Sequence, residues 1–207
     1  EVEDGPVHEH LERARKAEAT SLRHLMTHHP KNSYCPTCCI AKVQSAPHRR
    51  KQHQFWKGKP LRVKFGDAVT ADHIIAYTGH NQGITGDKSA ICVGDRFSGY
   101  FDSFPINEKT IEDTCEALRA WCGSEVIGRV WSDNSPELIA SFKVMNICHD
   151  KATQGQPASN GRAERLVRKA LDGTKTLNLQ AGLPGAYWPY AMRAYSHSQN
   201  IDVVNRD

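Results

Sequence analysis

The sequence predicts a mixed α/β layer fold with a small helical unit in front of it, and three observations carry that expectation. Residues 69–77 (VTADHIIAY), 90–93 (AICV) and 100–106 are β-rich runs set apart by Gly79, Gly83, Gly86 and Gly99, which predicts three sequential antiparallel strands. Downstream, helical and extended patterns alternate, the arrangement that packs helices on a sheet. The 207 residues allow one sizeable core plus a satellite, and an apolar share of 39% leaves length for a polar arm.

The elements follow in order. Residues 6–29 read as helical from the recurrence of Leu11, Ala14, Ala17, Leu22 and Leu25, with Pro30 ending the stretch. A polar, Cys-bearing turn comes next, then a basic segment with Pro47 and Pro60 that reads as a linker. These features divide the chain into a helical unit (1–45), a linker (46–62) and a core (63–207). In the core, Ile111, Cys115, Leu118 and Trp121 are spaced for a helix, followed by a short strand over 126–131. Ser132-Asp133-Asn134-Ser135-Pro136 caps a further helix to about 144, with Pro at its first position. A strand over 146–152 and a polar loop over 154–161 precede the longest helical pattern, Ala163, Leu166, Val167, Ala170, Leu171, Thr174 and Leu177. A last helix spans 186–197, and there are no repeats.

The net charge of +4 is modest, but its distribution is uneven. Lys42, Arg49, Arg50, Lys51, Lys57, Lys59, Arg62 and Lys64 form a block with no acid among them, able to displace counterions from a phosphate backbone; a solvated linker is the alternative. No apolar run is long enough for a membrane helix and no signal-peptide pattern is found, so no membrane partner is expected. An opening Glu1 predicts a piece of a longer polyprotein. Of seven cysteines, Cys92, Cys115, Cys122 and Cys148 fall in apolar patterns as small core hydrophobes. Cys35, Cys38 and Cys39 cluster in the turn, as metal ligands in a reducing compartment would. Trp121, Trp131 and Trp188 read as core or subunit-contact residues.

Three acids occupy places where such a fold could gather them. Asp72 sits inside an apolar strand, a costly position unless it is paired or binds a cation. Asp133 stands at the carboxyl end of a strand, the edge where open α/β sheets place ligands. Glu164 opens a long helix beyond a polar loop. Carboxylates suit Mg²⁺, and two ions about 3.5–4 Å apart can hold the attacking and leaving oxygens of a phosphodiester displacement. Asp67 and Glu137 are the alternative carboxylates; Glu137 also favours a helix N-terminus by its charge.

The wording around these acids resembles the integrase core of retroviruses and retrotransposons, within the ribonuclease H-like superfamily. VTADHI at Asp72, SDNSPEL at Asp133 and QPASNGRAERLVR at Glu164 match its three motifs, with sixty residues between the first two acids and thirty between the last two. Ser135 replaces the family's Gly, and the second interval is shorter than usual. The resemblance implies a mixed five-stranded sheet flanked by helices and an Asp72–Asp133–Glu164 trio holding two Mg²⁺ or Mn²⁺ ions, with Asp72 bridging them. It implies trimming of element 3′ ends by water, then attack of the freed 3′-OH on target DNA, with no covalent enzyme intermediate. Double-stranded DNA and further copies of the chain would be the partners. A nuclear site of action on host DNA is implied for a product of a cytoplasmic Gag-Pol-type polyprotein. A DNA-binding remnant without catalysis, or a superfamily nuclease that cleaves without joining, are the competing functions.

His24 and His28 share a helix face, and Cys35 and Cys38 form C-x-x-C beyond, a set suited to a closed tetrahedral zinc site. His29 and Cys39 are adjacent substitutes. The pattern, with Lys42 four residues after Cys38, resembles the HHCC zinc domain preceding the integrase core, in a compact form with six residues between His28 and Cys35. His10 and Glu12 with Cys35 and Cys38 superficially match a zinc-deaminase signature, but Tyr34 stands where that signature has Pro. DNA contacts are expected from Arg49, Arg50 and Lys51 in the linker, and from Asn160, Arg162, Arg165, Arg168 and Lys169 beside Glu164. Gln156 and Lys175 are further candidates, and a solvated helix face is the plain alternative for the basic residues.

Overall fold

The computed structural model describes residues 6–42, 64–76, 81–151 and 157–201, without the side chains of 6–9, 151 and 157–160. The expected linker and Arg49, Arg50, Lys51 and Gln156 lie outside the described residues, as does the side chain of Asn160.

The core is a mixed five-stranded sheet flanked by helices. β1 (Val69–Ile75), β2 (Ser89–Asp95) and β3 (Phe101–Ile106) form the antiparallel meander that the glycine-bounded runs predict. β4 (Arg129–Ser132) pairs parallel to β1, and β5 (Cys148–Lys151) parallel to β4, giving the order β3-β2-β1-β4-β5. β1 is therefore central, and Asp72 lies opposite Cys92 of β2.

Strand alternation sorts the residues of β1 between two cores. Val69 and Ala71 join Ile91, Val93 and Val130 on one face, under Leu118 and Trp121 of α4 (Ile111–Cys122) and Leu138 and Phe142 of α5 (Pro136–Val144). Ile74 joins Ala90, Cys92 and Phe101 on the other, under Ala170 of α6 (Pro157–Ala181) and Trp188, Met192 and Tyr195 of α7 (Trp188–Ile201). Asp72 has the same parity as Ile74 and so shares the α6 face. His73 takes the opposite side, its Nε2 3.1 Å from the Thr114 hydroxyl of α4.

Four boundaries depart from the sequence expectation. The N-terminal helix is two pieces, α1 (Pro6–Ala19) and α2 (Leu22–Thr27), because the Ser21 hydroxyl caps α2 by accepting from His24 N–H. The Cys-bearing turn is a helix, α3 (Pro36–Ala41), with Pro36 in its first turn. α6 starts at Pro157, inside the expected loop, since Pro fits the first helical turn where its missing N–H costs nothing. Glu164 consequently sits in the second turn of α6. β4 also begins three residues later than expected, after Gly128. Cys148 is exposed rather than core, while Cys92 and Cys115 are buried as expected. Trp131 is half-buried beneath the Arg96 guanidinium, 4.1 Å from its ring centre.

α2 and α3 fold into a small unit whose own apolar core is Ala19, Cys35 and Cys38, with Tyr34 packed against them. It rests on the domain core through α3 against α6 and α2 against α7.

Candidate metal centre and active groove

The small unit gathers its polar residues inward. His24, His28, Cys35 and Cys38 are all buried, and their ligand atoms lie within 4.8 Å of one another. His24 projects from α2. His28 is that helix's C-cap in the left-handed region (φ 47°), where its N–H still bonds His24 O. Cys35 is the N-cap of α3 and Cys38 lies one turn on.

Cys38 Sγ is 3.5 Å from both His24 Nε2 and His28 Nδ1, and Cys35 Sγ is 3.6 Å from His28 Nδ1. Tetrahedral zinc with its usual Zn–S and Zn–N bond lengths sets sulfur and nitrogen ligands about 3.5 Å apart. The donor set and its spacing therefore fit Zn²⁺. Burial lowers the pKa of both imidazoles, keeping them in the neutral form that ligates. Burial raises that of the Cys38 thiol, a cost that binding to a cation reverses. Two of the three buried apolar residues of this unit are candidate ligands, which leaves little apolar surface of its own to hold it folded. His29 and Cys39 are exposed, and the Cys39 thiol points to Ser33 O instead. Cys35 and Cys38 group with His24 and His28, whereas Glu12 accepts from the Tyr34 hydroxyl, so the deaminase pairing has no geometric support.

The second site is a groove of 380 Å³ where α6 crosses β1. Asp72 and Glu164 both line it, with Arg168, Asp172 and Lys175 from successive turns of α6. Glu164 and Arg168 are exposed and Asp72 is half-buried. Asp133 is not among the groove's lining residues, but its register is informative. Thr70 pairs with Trp131 in the parallel β1–β4 ladder, so two residues on, Asp133 is level with Asp72 and of the same parity. Asp133 Oδ1 accepts from Ser135 N–H at 3.1 Å, fixing the turn into α5. Among the described residues, Asp72, Asp133 and Glu164 do not form a three-membered group as close as the His24–His28–Cys35–Cys38 cluster. Like charges with no cation between them repel.

Neither alternative acid is placed comparably. Glu137 accepts from the Ser135 hydroxyl at 2.6 Å and pairs with Lys109 at 3.3 Å, which holds its carboxyl at about 2. Asp67 accepts from Lys64 N–H at 3.0 Å in the turn before β1. Of the basic candidates on α6, Arg162 and Arg165 are exposed, and Arg165 Nε donates to Gly161 O at 2.8 Å. Lys169 leans over the Phe101 ring, 4.3 Å from its centre, away from the groove residues.

Two groups were missed in the sequence. Asp172, in the groove, and Gln180, which accepts a hydrogen bond from His28 Nε2, lie on α6 in no motif. Their signal was the four-residue row Glu164, Arg168, Asp172, Thr176 and Gln180 of polar residues along one helix.

The chain is 25% identical over 164 residues to the retrovirus-related Pol polyprotein from transposon RE1 of Arabidopsis thaliana, covering 76% of this chain and 10% of that protein. It is 25% identical over 179 residues to the corresponding polyprotein from transposon RE2 of the same plant, covering 83% of this chain and 11% of that protein. The chain thus spans about a tenth of the length of these curated relatives. The catalytic core domain of BIV integrase, a crystal structure, aligns with 68% of this chain and 87% of its own at 17% identity, with a TM-score of 0.48. No protein-family model matches the chain.

Proposed function

We propose that this homologue of retrotransposon Pol polyproteins is an integrase segment, a zinc unit joined to a catalytic core that processes DNA 3′ ends and joins them to target DNA. The observation that carries this reading is the meeting of Asp72, from the central strand, and Glu164, from α6, in one groove with Arg168 and Lys175 beside them. Hard carboxylate oxygens from two elements, with a third on Asp133 level with Asp72, form a donor set for Mg²⁺ or Mn²⁺. Divalent ions bound there would activate the attacking oxygen and stabilise the leaving one.

The chain's own residues supply position and charge. The β1–β2 ladder fixes the backbone of Asp72 and so the point from which its carboxylate projects. Arg168 and Lys175 place positive charge along the groove, where a DNA strand's phosphates would lie; Arg162 and Arg165 extend it towards the start of α6. Arg49, Arg50 and Lys51, with Asn160 at the head of α6, add phosphate contacts, and Lys169 contributes from the flank. In the first reaction water attacks the phosphorus near the element end and a 3′-OH is released. In the second that 3′-oxygen attacks a target phosphorus, and the target's own 3′-oxygen leaves. The segment works within an oligomer on double-stranded DNA in the nucleus, after release from a polyprotein. No described helix is long and apolar enough to cross a membrane.

Strand transfer of a labelled element-end duplex into plasmid, with Mg²⁺ or Mn²⁺, tests this reading. Wild-type joining that disappears in Glu164→Gln is the expected result. Cleavage without joining indicates a nuclease, and DNA binding with no chemistry a remnant; either overturns the proposal.

A further inference from the structure

α6 is held between two layers, and only one of them is the sheet. Ala170 and the partly buried Leu166 and Leu177 belong to the core under α7. Another row of the same helix, Asp172, Thr176 and Gln180, turns towards the zinc unit. Asp172 attracts the ammonium of Lys42, Thr176 is fully buried, and Gln180 Oε1 accepts from His28.

Lys42 is itself buried, with Nζ donating to His28 O at 2.5 Å, so the ligand is tied to α3 as well as to α6. The two ring nitrogens of His28 have separate tasks. Nδ1 faces Cys35 and Cys38. A ring that gives its Nδ1 lone pair to a metal carries its proton on Nε2, and that proton meets Gln180. The partner of a metal-bound histidine fixes the ring's tautomer and orientation and raises its basicity as a ligand.

We propose that Gln180 is a positioning residue that couples occupancy of the His24–His28–Cys35–Cys38 centre to the seating of α6, the helix that carries Glu164. Metal binding would then order one wall of the groove from sixteen residues away. The inference rests on the zinc reading of the four-residue cluster and not on the DNA chemistry.

Co²⁺, whose visible bands report a tetrahedral sulfur–nitrogen site, is the probe, used on the full chain with Gln180→Leu and Gln180→Glu. Hydrogen exchange of residues 170–181 with and without Zn²⁺ is the second readout. Gln180→Leu should weaken Co²⁺ binding about tenfold or more and abolish the zinc-dependent protection of 170–181. Gln180→Glu keeps an acceptor for His28 Nε2 and should preserve both. Unchanged affinity and protection in Gln180→Leu overturns the coupling. Equal loss in Gln180→Leu and Gln180→Glu also overturns it, since the position would then matter only for packing. Absence of the Co²⁺ bands in wild type removes the zinc reading and this proposal with it. A failed joining assay would leave both readouts standing.

Discussion

The ring of Tyr195 in α7 lies against the backbone of Gly173 in α6, so that a methyl group at 173 would overlap the ring carbons. Tyr195 is 2% exposed and cannot swing out of the way without opening the core that both helices share. Gly173→Ala gains about 1 kcal/mol of helix propensity, but overpacking of this kind typically costs about 1–3 kcal/mol. The expected net effect is a loss of about 1 kcal/mol, read as a lower urea midpoint with an unchanged slope. A midpoint that rises would show that α7 is free to shift from α6.

The groove predicts a hierarchy among the acids. Asp72→Asn and Asp133→Asn should each lower strand transfer about a thousandfold or more, the several kcal/mol that a metal ion's charge stabilisation supplies. Neither should lower the melting temperature by more than a few degrees, since Asn keeps the size of the side chain and, at 133, an acceptor oxygen for the Ser135 N–H. Glu137→Gln breaks the pair with Lys109, which is partly exposed and worth little, and should keep joining within about threefold. Parallel joining and melting assays of the three variants check this. Loss of joining in Glu137→Gln with retention in Asp133→Asn would exchange their roles.

Much of this site was legible in sequence because motif and period agreed. Asp72 announced itself as an acid in an apolar strand, while its place on the α6 face emerged only from the structure. Pro136 marked the start of α5 to the residue. The same residue type misled at Pro157, where Pro-Ala-Ser-Asn-Gly reads as a loop in isolation but is the first turn of α6 in the structure. Local preference there is weak, and the packing of the helix's later turns decides. The break between α1 and α2 was also hidden, because the apolar spacing continues across it and only the Ser21 cap shows it. The polar row of α6 marks the face that carries Gln180, but its role was hidden, since that depends on a contact with a residue 152 positions away.

Thiol chemistry separates the cysteines by environment. Cys39 and Cys148 are exposed and should be labelled by a maleimide within minutes in the native state. Burial pushes the Cys92 thiol up to about 12, and Cys115 is likewise buried, so both should stay unlabelled until denaturation. Cys35 and Cys38 should be protected in the zinc-loaded protein and react once a chelator removes the metal. Peptide mapping of the labelled sites before and after chelation checks all three classes. Rapid labelling of Cys35 with zinc present would remove it from the ligand set.

His73 gives the fold a pH dependence with a definite sign. It is half-buried beneath α4, and burial first, then the Lys109 charge, lowers its pKa from 6.5 to about 4; Asp133 and Glu137 oppose the shift. In the unfolded chain the ring takes up a proton near 6.5, so between that pH and 4 the unfolded state binds more protons than the native one. Stability from this residue is therefore complete above about 6.5, falls as the pH drops towards 4, and levels off below. A shift of this size corresponds to about 3 kcal/mol, and partial solvent access reduces it to about 2 kcal/mol. Acid also displaces zinc from the histidines and thiolates, but that loss is common to wild type and His73→Gln. The difference between the two is the measurement: urea midpoints at pH 7 and pH 4, where wild type should lose about 2 kcal/mol more than His73→Gln. Identical losses would mean that His73 is solvated well enough to titrate normally, and that the Thr114 contact does not hold the ring against α4.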